Sequence, residues 1–444
     1  MKAHRSLLPN SRRKDRLPSP GKAAFHPERF TLSNGLRVLL AENAALPAIS
    51  LSLSVQVGAR AEPEDRAGTA VLLSRLLDEG TANRSSLEIA EAIESVGGAI
   101  DCDCSYERVS AFLGVLSKDI DLGLALVADI VMHPVLGEEA LAKERDRVLA
   151  EIRSAMDRPQ TVAGWEFNEL VYRDHPLHRP VHGYPHTIEK ITRGDLREFH
   201  KRHFHSNNAM VSVVGDFKTP DMLSRLESAF GGWEPGEIDN SRETTLERQS
   251  DVRRKFLKVE SEQAHIYFGH LGVRRTHPDY YALQVLDTIL GGGAGLTARI
   301  PRKLRDEQGL AYTTFASITG SAGLDPGKFL AYMGTSPANI GRAIDGFKTE
   351  IQSVIAEGVT SEELDDAKAY LTGNFVFAFE SNSQIARFLL SAEVFGLGFD
   401  YVEKYPGYIE ALTLEDIARV AAQHLSTEHY SLVISSSEDT EEFE

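Results

Sequence analysis

Residues 97–116 read GGAIDCDCSYERVSAFLGVL, and they decide the fold because the pattern that they begin occurs twice in the chain. Two glycines are followed by two predicted strands, around Ala99–Cys104 and Arg108–Val115, and then by two predicted helices. The same series begins again at Gly309. A repeat distance of about 200 residues is much longer than that of solenoid proteins, so the sequence predicts an internal duplication.

The two copies agree in the order of their predicted elements. The helices of the first copy are expected at about Asp119–Met132 and Glu138–Met156. The second copy has expected strands at Tyr312–Ile318 and Lys328–Gly334, followed by expected helices at Asn339–Ala356 and Ser361–Asn374. The last helix of each copy even begins with similar residues, GEEAL at 137–141 and SEEL at 361–364. We therefore predict an α+β protein of two homologous domains.

The middle of the chain predicts where the two domains divide. Residues 234–255 are charged, poor in large apolar side chains and marked by Pro235 and Gly236, so we interpret them as a linker. This linker separates an N-terminal domain at residues 24–233 from a C-terminal domain at residues 256–438. Residues 1–23 are basic and interrupted by prolines, without the apolar stretch of a secretory signal, and we expect a disordered tail there.

The composition excludes several classes of protein. The 444 residues are 42% apolar and 25% charged, as in globular proteins, and the formal net charge is −17. Such an acidic chain is repelled by phosphate backbones, so nucleic acid is not an expected partner. No apolar run reaches the ~18–20 residues of a membrane-spanning helix, and we expect a cytoplasmic protein. Cys102 and Cys104 lie two apart on one predicted strand, where they suit neither a disulfide nor a complete zinc site.

Two further motifs of the sequence are candidate binding sites. Residues 291–295 (GGGAG) resemble a phosphate-binding loop, but no Gly-Lys-Ser/Thr follows and a predicted helix precedes them, so we interpret them as a structural turn. Seven of the fifteen histidines fall within 31 residues, where prolines interrupt the spacing. We interpret them as polar surface or cavity wall, with a metal site as the alternative. They are His175, His178, His182, His186, His200, His203 and His205.

Three segments of the first half resemble a known peptidase family. Residues 58–81 (GARAEPEDRAGTAVLLSRLLDEGT), residues 144–151 (ERDRVLAE) and the stretch at 182–216 are similar to pitrilysin and the mitochondrial processing peptidase, the inverzincins. The resemblance is to the short bacterial type and covers almost the whole chain. It implies a processing-peptidase-like metallohydrolase fold, in which each domain is a mostly antiparallel sheet covered by helices.

The zinc motif of that family is absent at the matching positions. The family carries H-x-x-E-H, in which two histidines bind zinc and the Glu activates water, whereas this chain has Val71, Ser74 and Arg75 there. Valine has no lone pair, a guanidinium stays protonated, and serine is not a carboxylate base. Glu144 and Glu151 remain of the family's carboxylates. The resemblance thus implies no catalytic residue, metal or cofactor in this chain, and we expect Arg75 to form an ion pair with Glu151.

The second half retains another motif of the family. Residues 304–312 (LRDEQGLAY) resemble the segment in which an Arg and a Tyr seven residues later hydrogen-bond the scissile peptide, and Arg305 and Tyr312 have that spacing. A guanidinium and a phenol are suitable donors to a carbonyl that becomes negatively charged. The resemblance therefore implies that Arg305 and Tyr312 bind substrate.

Losing the first motif while keeping the second predicts a division of labour between two chains. We expect the non-catalytic, substrate-binding subunit of a heterodimeric zinc metalloendopeptidase, inactive alone. The expected partner is a homologous subunit that carries H-x-x-E-H and the zinc, and the substrate is a peptide, basic in view of the acidic chain. The alternatives are a structural or assembly protein of the same fold and a homo-oligomeric module that sequesters peptides without cutting them. Retention of Arg305 and Tyr312 argues against a scaffold.

Overall fold

The computed structural model describes residues 26–238, 246–292 and 298–438, with Tyr312 described by its backbone alone. The expected disordered tail and part of the expected linker lie outside the described residues. The strands of the first half are β1 (Glu28–Thr31), β2 (Arg37–Glu42), β3 (Ala48–Val55), β4 (Ala99–Cys104), β5 (Val109–Leu116) and β6 (Ala209–Gly215). The strands of the second half are β7 (Arg253–Lys258), β8 (Ala264–Leu271), β9 (Ala311–Ser317), β10 (Lys328–Thr335) and β11 (Ser431–Ser436).

Helices fill most of the sequence between these strands. Those of the first half are α1 (Thr69–Leu76), α2 (Ser86–Ser95), α3 (Ile120–Met132), α4 (Glu138–Met156), α5 (Pro159–Tyr172), α6 (Pro185–Ile188), α7 (Arg193–His203) and α8 (Thr219–Phe230). Those of the second half are α9 (Tyr280–Asp287), α10 (Ile340–Glu357), α11 (Ser361–Phe375), α12 (Asn382–Val394), α13 (Tyr401–Glu410) and α14 (Leu414–His424). Among the described residues no helix is both long and apolar enough to cross a membrane.

The two sheets share one topology apart from the additional edge strand β1 of the first sheet, which confirms the predicted pair of homologous α+β domains. The first sheet has the strand order β1-β2-β6-β3-β5-β4 and the second has β7-β11-β8-β10-β9. In each sheet one pair is parallel, β2 with β6 and β7 with β11, and the other pairs are antiparallel. The repeat extends to the helix that precedes the last strand. Both α7 and α14 begin with a capping box, Thr192 with Asp195 and Thr413 with Asp416.

Each sheet is covered on its second face by a helix from the other half. Helix α5 packs against β8 and β11 of the second sheet, where Phe167 is fully buried with its ring 5.9 Å from that of Tyr267. Helix α12 packs in the same way against β3 and β6 of the first sheet and buries Leu389 against Met210 and neighbouring side chains. The exchange is reciprocal, so neither half buries both faces of its sheet without the other.

The sequence also predicts helices at Tyr280–Leu290 and at Ala298–Glu307, and the structure differs from both predictions. The first helix is α-helical only to Asp287 and continues as a π-helical turn, and the second is π-helical over Pro301–Glu307. The wider turn brings the backbone of Gly291 against β9, where an added Cβ would lie 2.4 Å from the Ala316 nitrogen. A close backbone approach of this kind requires glycine.

The linker boundary also needs a correction. Strand β7 begins at Arg253, which pairs with Ser431 of β11, so the last residues of the expected linker at 234–255 belong to the second sheet. Charged side chains suit this edge strand because one side of its backbone is not covered by another strand. We retain the division into domains at residues 24–233 and 256–438 as a proposal, with β7 assigned to the second domain.

The exchanged helices generate a prediction about stability. Replacing Phe167 by Ala should lower the free energy of unfolding by about 3–5 kcal/mol, because the ring leaves a cavity between α5 and the second sheet. Met156→Ala is the matched control, since this side chain at the end of α4 is 51% exposed. Its effect should stay within about 0.5 kcal/mol. Urea unfolding curves measure both, and equal midpoints for the two variants would contradict the described packing.

Candidate functional site

Helix α1 is fixed at its start by a buried carboxylate. Glu62 Oε2 accepts the backbone N–H of Gly68 at 2.8 Å, and its Oε1 accepts the N–H of Ala70 at 2.6 Å. These bonds satisfy donors that a helix start leaves without intrahelical partners. Gly68 has a φ of 98°, a left-handed conformation that glycine adopts without strain. The turn and the carboxylate together set the direction of α1.

The three positions of the missing zinc motif lie on α1 and form no metal centre. Val71 and Ser74 are buried, and the Ser74 hydroxyl donates to the Val71 carbonyl at 2.8 Å, within its own helix. Arg75 forms the expected ion pair with Glu151. Its Nη1 donates to Glu151 Oε1 at 2.9 Å, and its Nη2 donates to Glu151 Oε2 at 2.7 Å. The ion pair that the sequence predicts is therefore confirmed.

The second retained glutamate is neutralised in a similar way. Glu144 is 3% exposed, accepts a bond from Arg147 Nη1 at 2.6 Å and lies 3.9 Å from Arg75 Nη1. His182 Nε2 lies 4.0 Å from Glu151 Oε2. One imidazole and two carboxylates thus remain near the helix, but a guanidinium stands between them. Because a cation occupies this space and Val71 offers no donor atom, the residues present do not fit zinc.

A cavity of about 420 Å³, which we call the α1 cavity, lies beside α1 and the edge strand β4, and Arg75, Glu144 and His182 are among its lining residues. Five acidic residues line it, together with the two arginines Arg75 and Arg147. Burial raises the pKa of Asp78, and the neighbouring carboxylates Glu79, Asp101 and Glu144 act in the same direction. The cavity is therefore suited to a cationic group. Its carboxylates are Asp78, Glu79, Asp101, Asp103 and Glu144.

Of the acidic residues of this cavity, Glu144 alone was predicted as a site residue from the sequence. Asp78 follows α1 directly and Asp101 lies on β4, so only the fold brings them together. The same strand contributes Cys102 and Cys104, which are free thiols. Burial raises the pKa of both thiols well above the ordinary value, which keeps them protonated and weakly nucleophilic. The alternation of Asp and Cys along β4 indicates a half-buried strand, but it does not show that this strand lies beside Asp78.

The other retained motif lies in the second half. Arg305 belongs to the π-helical segment Pro301–Glu307, and its Nε donates to Asp306 Oδ1 at 2.8 Å. Tyr312 lies on β9, the edge strand of the second sheet, and its side chain is outside the described residues. Among the side chains that the structure describes, that of Arg305 is not one that lines the cavity beside α1.

The remaining sequence motifs are dispersed. His175 Nδ1 accepts the N–H of Leu177 at 3.2 Å, His178 contacts Glu169 at 2.8 Å, and His200 bonds the Val131 carbonyl. Among the described residues, none of the seven clustered histidines belongs to a group of three potential metal ligands. The glycine-rich turn at 291–295 falls partly outside the described residues.

Restoring the family motif tests this reading of α1. The triple variant Val71→His, Ser74→Glu, Arg75→His should bind one zinc ion more per chain than the wild type, because Glu151 already reaches position 75. Adding Glu151→Gln should remove that extra ion, as measured by elemental analysis after dialysis. The wild-type chain should hold no zinc that depends on Glu151 and should have no peptidase activity alone. Zinc lost from the wild type on Glu151→Gln would refute this reading.

Glu62 generates a prediction about pH. Burial raises the pKa of Glu62 from 4.5 to about 7, although the two N–H bonds and Arg179 act in the opposite direction. Between these values the folded chain holds a proton that the unfolded chain has released, so the free energy of unfolding should fall as pH rises from about 4.5 to about 7, by on the order of 3 kcal/mol. Glu62→Gln should lack this part of the pH dependence. Exposed Glu64→Gln should keep it, and identical profiles for both variants would exclude the assignment.

Comparison with known proteins gives the family. A sequence model described as insulinase (peptidase family M16) matches residues 37–184, and one described as peptidase M16 inactive domain matches residues 190–371. A protein named uncharacterized zinc protease from Mycobacterium leprae is 30% identical over 413 residues, which are 91% of each chain. A protein from Bacillus subtilis that is also named uncharacterized zinc protease is 26% identical over 409 residues, which are 92% of this chain and 97% of that one.

Solved structures agree in fold. A peptidase M16 inactive domain from Pseudomonas fluorescens superposes with a TM-score of 0.84 at 24% identity, over 94% of this chain and 98% of that one. A protease from Helicobacter pylori superposes with a TM-score of 0.84 at 23% identity, over 93% and 99%. Shared fold over nearly the full length, together with the mycobacterial relative and the two domain matches, leads to one conclusion. The chain belongs to peptidase family M16, the insulinase family.

Proposed function

We propose that this chain is the non-catalytic, substrate-binding subunit of a heterodimeric zinc metalloendopeptidase. The observation that carries the proposal is the bidentate ion pair between Arg75 and Glu151, which occupies the space where the family's zinc ligands would lie. The family model that matches residues 190–371 is described as an inactive domain, which agrees with a second half that contributes no metal site to catalysis.

The partner of this proposal is a homologous subunit with an intact H-x-x-E-H helix. This chain would supply Arg305 and Tyr312 to the partner's active site, with the peptide enclosed between the two subunits. Asp306 supports the role of Arg305 because its carboxylate orients the guanidinium through two bonds, at 2.8 and 3.3 Å. A guanidinium held in this way is pre-organised to donate to a peptide carbonyl as negative charge develops on it.

The proposed substrate class is a basic peptide. The α1 cavity supports it, since five acidic residues line the cavity and two arginines only partly balance them. Strand β4 beside the cavity is the last strand of its sheet, so its free backbone groups can pair with an extended peptide. A Lys or Arg side chain of that peptide would then lie against Asp78 and Asp101.

The alternative is a structural, assembly or peptide-sequestering protein of the same fold. The ion pair between buried Glu144 and exposed Arg147 favours it, because a carboxylate that is neutralised within the chain needs no ligand for stability. Purification separates the proposals. A 1:1 complex with an H-x-x-E-H chain supports the heterodimeric peptidase, whereas a homodimer that binds peptides without cutting them supports sequestration.

Substitution of the two donors tests the role in catalysis. Arg305→Ala or Tyr312→Phe should leave the heterodimer assembled and should lower the activity of the reconstituted pair about ten- to a thousandfold, as when one oxyanion donor is removed. Most of the loss should appear in kcat, because the bonds strengthen in the transition state. Gel filtration and steady-state kinetics with a basic peptide measure both.

The control lies on the same segment. Arg302 is three residues from Arg305 and 47% exposed, so Arg302→Ala should leave kcat within about twofold of the wild type. A loss confined to KM in the Arg305 and Tyr312 variants would assign them to peptide holding. Full activity of the double variant would end the catalytic role and leave the alternative ahead.

A further inference from the structure

The second half contains a cluster of potential metal ligands that the proposed function does not use. His277, Asp279 and His424 each place one nitrogen or carboxylate oxygen so that the three atoms lie within 4.8 Å of one another. In the described part of the chain, no other group of three His, Cys, Asp or Glu side chains comes together in this way. The cluster therefore stands apart from both the α1 cavity and the Arg305 segment.

Two packed helices bring these residues together. Asp279 is the N-cap residue of α9, and His277 precedes it by two positions. His424 is the last residue of α14, which packs on α9. Both helices belong to the core of the second domain, with Leu283 and Ile417 fully buried. Asp279 and His424 are thus held at the ends of two packed helices, and His277 lies in the turn directly before α9.

The distances are close to those of a metal site. His424 Nε2 lies 2.8 Å from Asp279 Oδ2, and His277 Nδ1 lies 4.0 Å from the same oxygen. A tetrahedral zinc ion with N and O donors at about 2.0–2.2 Å separates those donors by about 3.3 Å. To bind zinc, the distance from His424 Nε2 to Asp279 Oδ2 must therefore increase, and the distance from His277 Nδ1 to the same oxygen must decrease, each by roughly half an ångström. The two imidazole rings stand nearly perpendicular, with centroids 5.2 Å apart.

Arg419 orients the Asp279 carboxylate, and solvent reaches the cluster mainly at His277. Arg419 Nη2 donates to Asp279 Oδ1 at 2.8 Å, which fixes the carboxylate and leaves Oδ2 directed at His424. Partners of this kind orient metal ligands in known sites. The Asp279 and His424 side chains are 14% exposed and that of His277 is 36% exposed. His277 Nδ1 accepts the Asp279 N–H at 3.1 Å, so this half-exposed ring must turn out of that bond before the nitrogen can bind a metal ion.

We propose that His277, Asp279 and His424 bind a divalent transition-metal ion, with Zn²⁺ as the ion that best suits two imidazoles and one carboxylate. Water completes the coordination. The ion holds the start of α9 to the end of α14, so its role is structural. The site departs from the expectation of a chain without its own metal, which was drawn from α1. It is independent of the proposed function.

The test uses the full chain, stripped with a chelator and titrated with Zn²⁺ alone. The wild type should take up one ion per chain at micromolar free metal, and the ion should raise the midpoint of thermal unfolding. His277→Ala and His424→Ala should each weaken uptake at least about 100-fold and abolish the zinc-induced rise of the midpoint. His429→Ala is the matched control, since this exposed histidine lies five residues beyond His424, and it should bind as the wild type does.

The test compares the midpoint of thermal unfolding of each variant with and without zinc, so it remains valid for a variant that is less stable than the wild type. His277 contributes least to packing, and its replacement should leave the chain folded while removing the ion. Glu151→Gln should bind as the wild type does, which separates this site from α1. The proposal is overturned if the wild type takes up no ion under these conditions, or if uptake is unchanged in both the His277 and His424 variants.

Discussion

The packing of α5 on the second sheet and of α12 on the first is the contact on which the rest of the structure depends, because each sheet would otherwise present one apolar face to water. Full burial of one large apolar side chain is worth about 1.5–3 kcal/mol, and both interfaces contain several. Polar contacts join the halves elsewhere. Glu107 Oε1 accepts the Leu324 N–H at 2.6 Å, and Arg60 lies 3.3 Å from Asp325. The exchange therefore fixes where the two domains lie relative to one another.

Electrostatics explains why the altered α1 site is stable. Glu144 is almost completely buried, and a buried carboxylate without a counter-charge is strongly destabilising. Arg147 and Arg75 supply that charge in the absence of a metal ion. The bidentate ion pair between Arg75 and Glu151 contributes only about 1 kcal/mol or less to the stability of the fold, because its side chains are 28% and 47% exposed. Its main effect is to occupy space and to cancel charge beside the helix.

Local patterns in the sequence were sufficient to predict much of the fold and part of the candidate site. The predicted bounds of β4 and α4 agree with the structure, and the ion pair between Arg75 and Glu151 followed from charge and family spacing. The exchanged helices were not predicted. Periodicity shows which face of α12 is apolar, but it does not show which sheet covers that face. His277 and His424 are likewise 147 positions apart in the printed sequence, and no local pattern connects them.

The reciprocal helix exchange also constrains the history of this chain. Two halves with the same strand order indicate duplication of a gene for one half. A half-length ancestor would have had its own version of the exchanged helix with no sheet to cover within the same molecule. A symmetric dimer solves that problem, because each copy then covers the sheet of the other. Fusion of two such genes would turn this contact between subunits into one within a single polypeptide and would allow the halves to diverge.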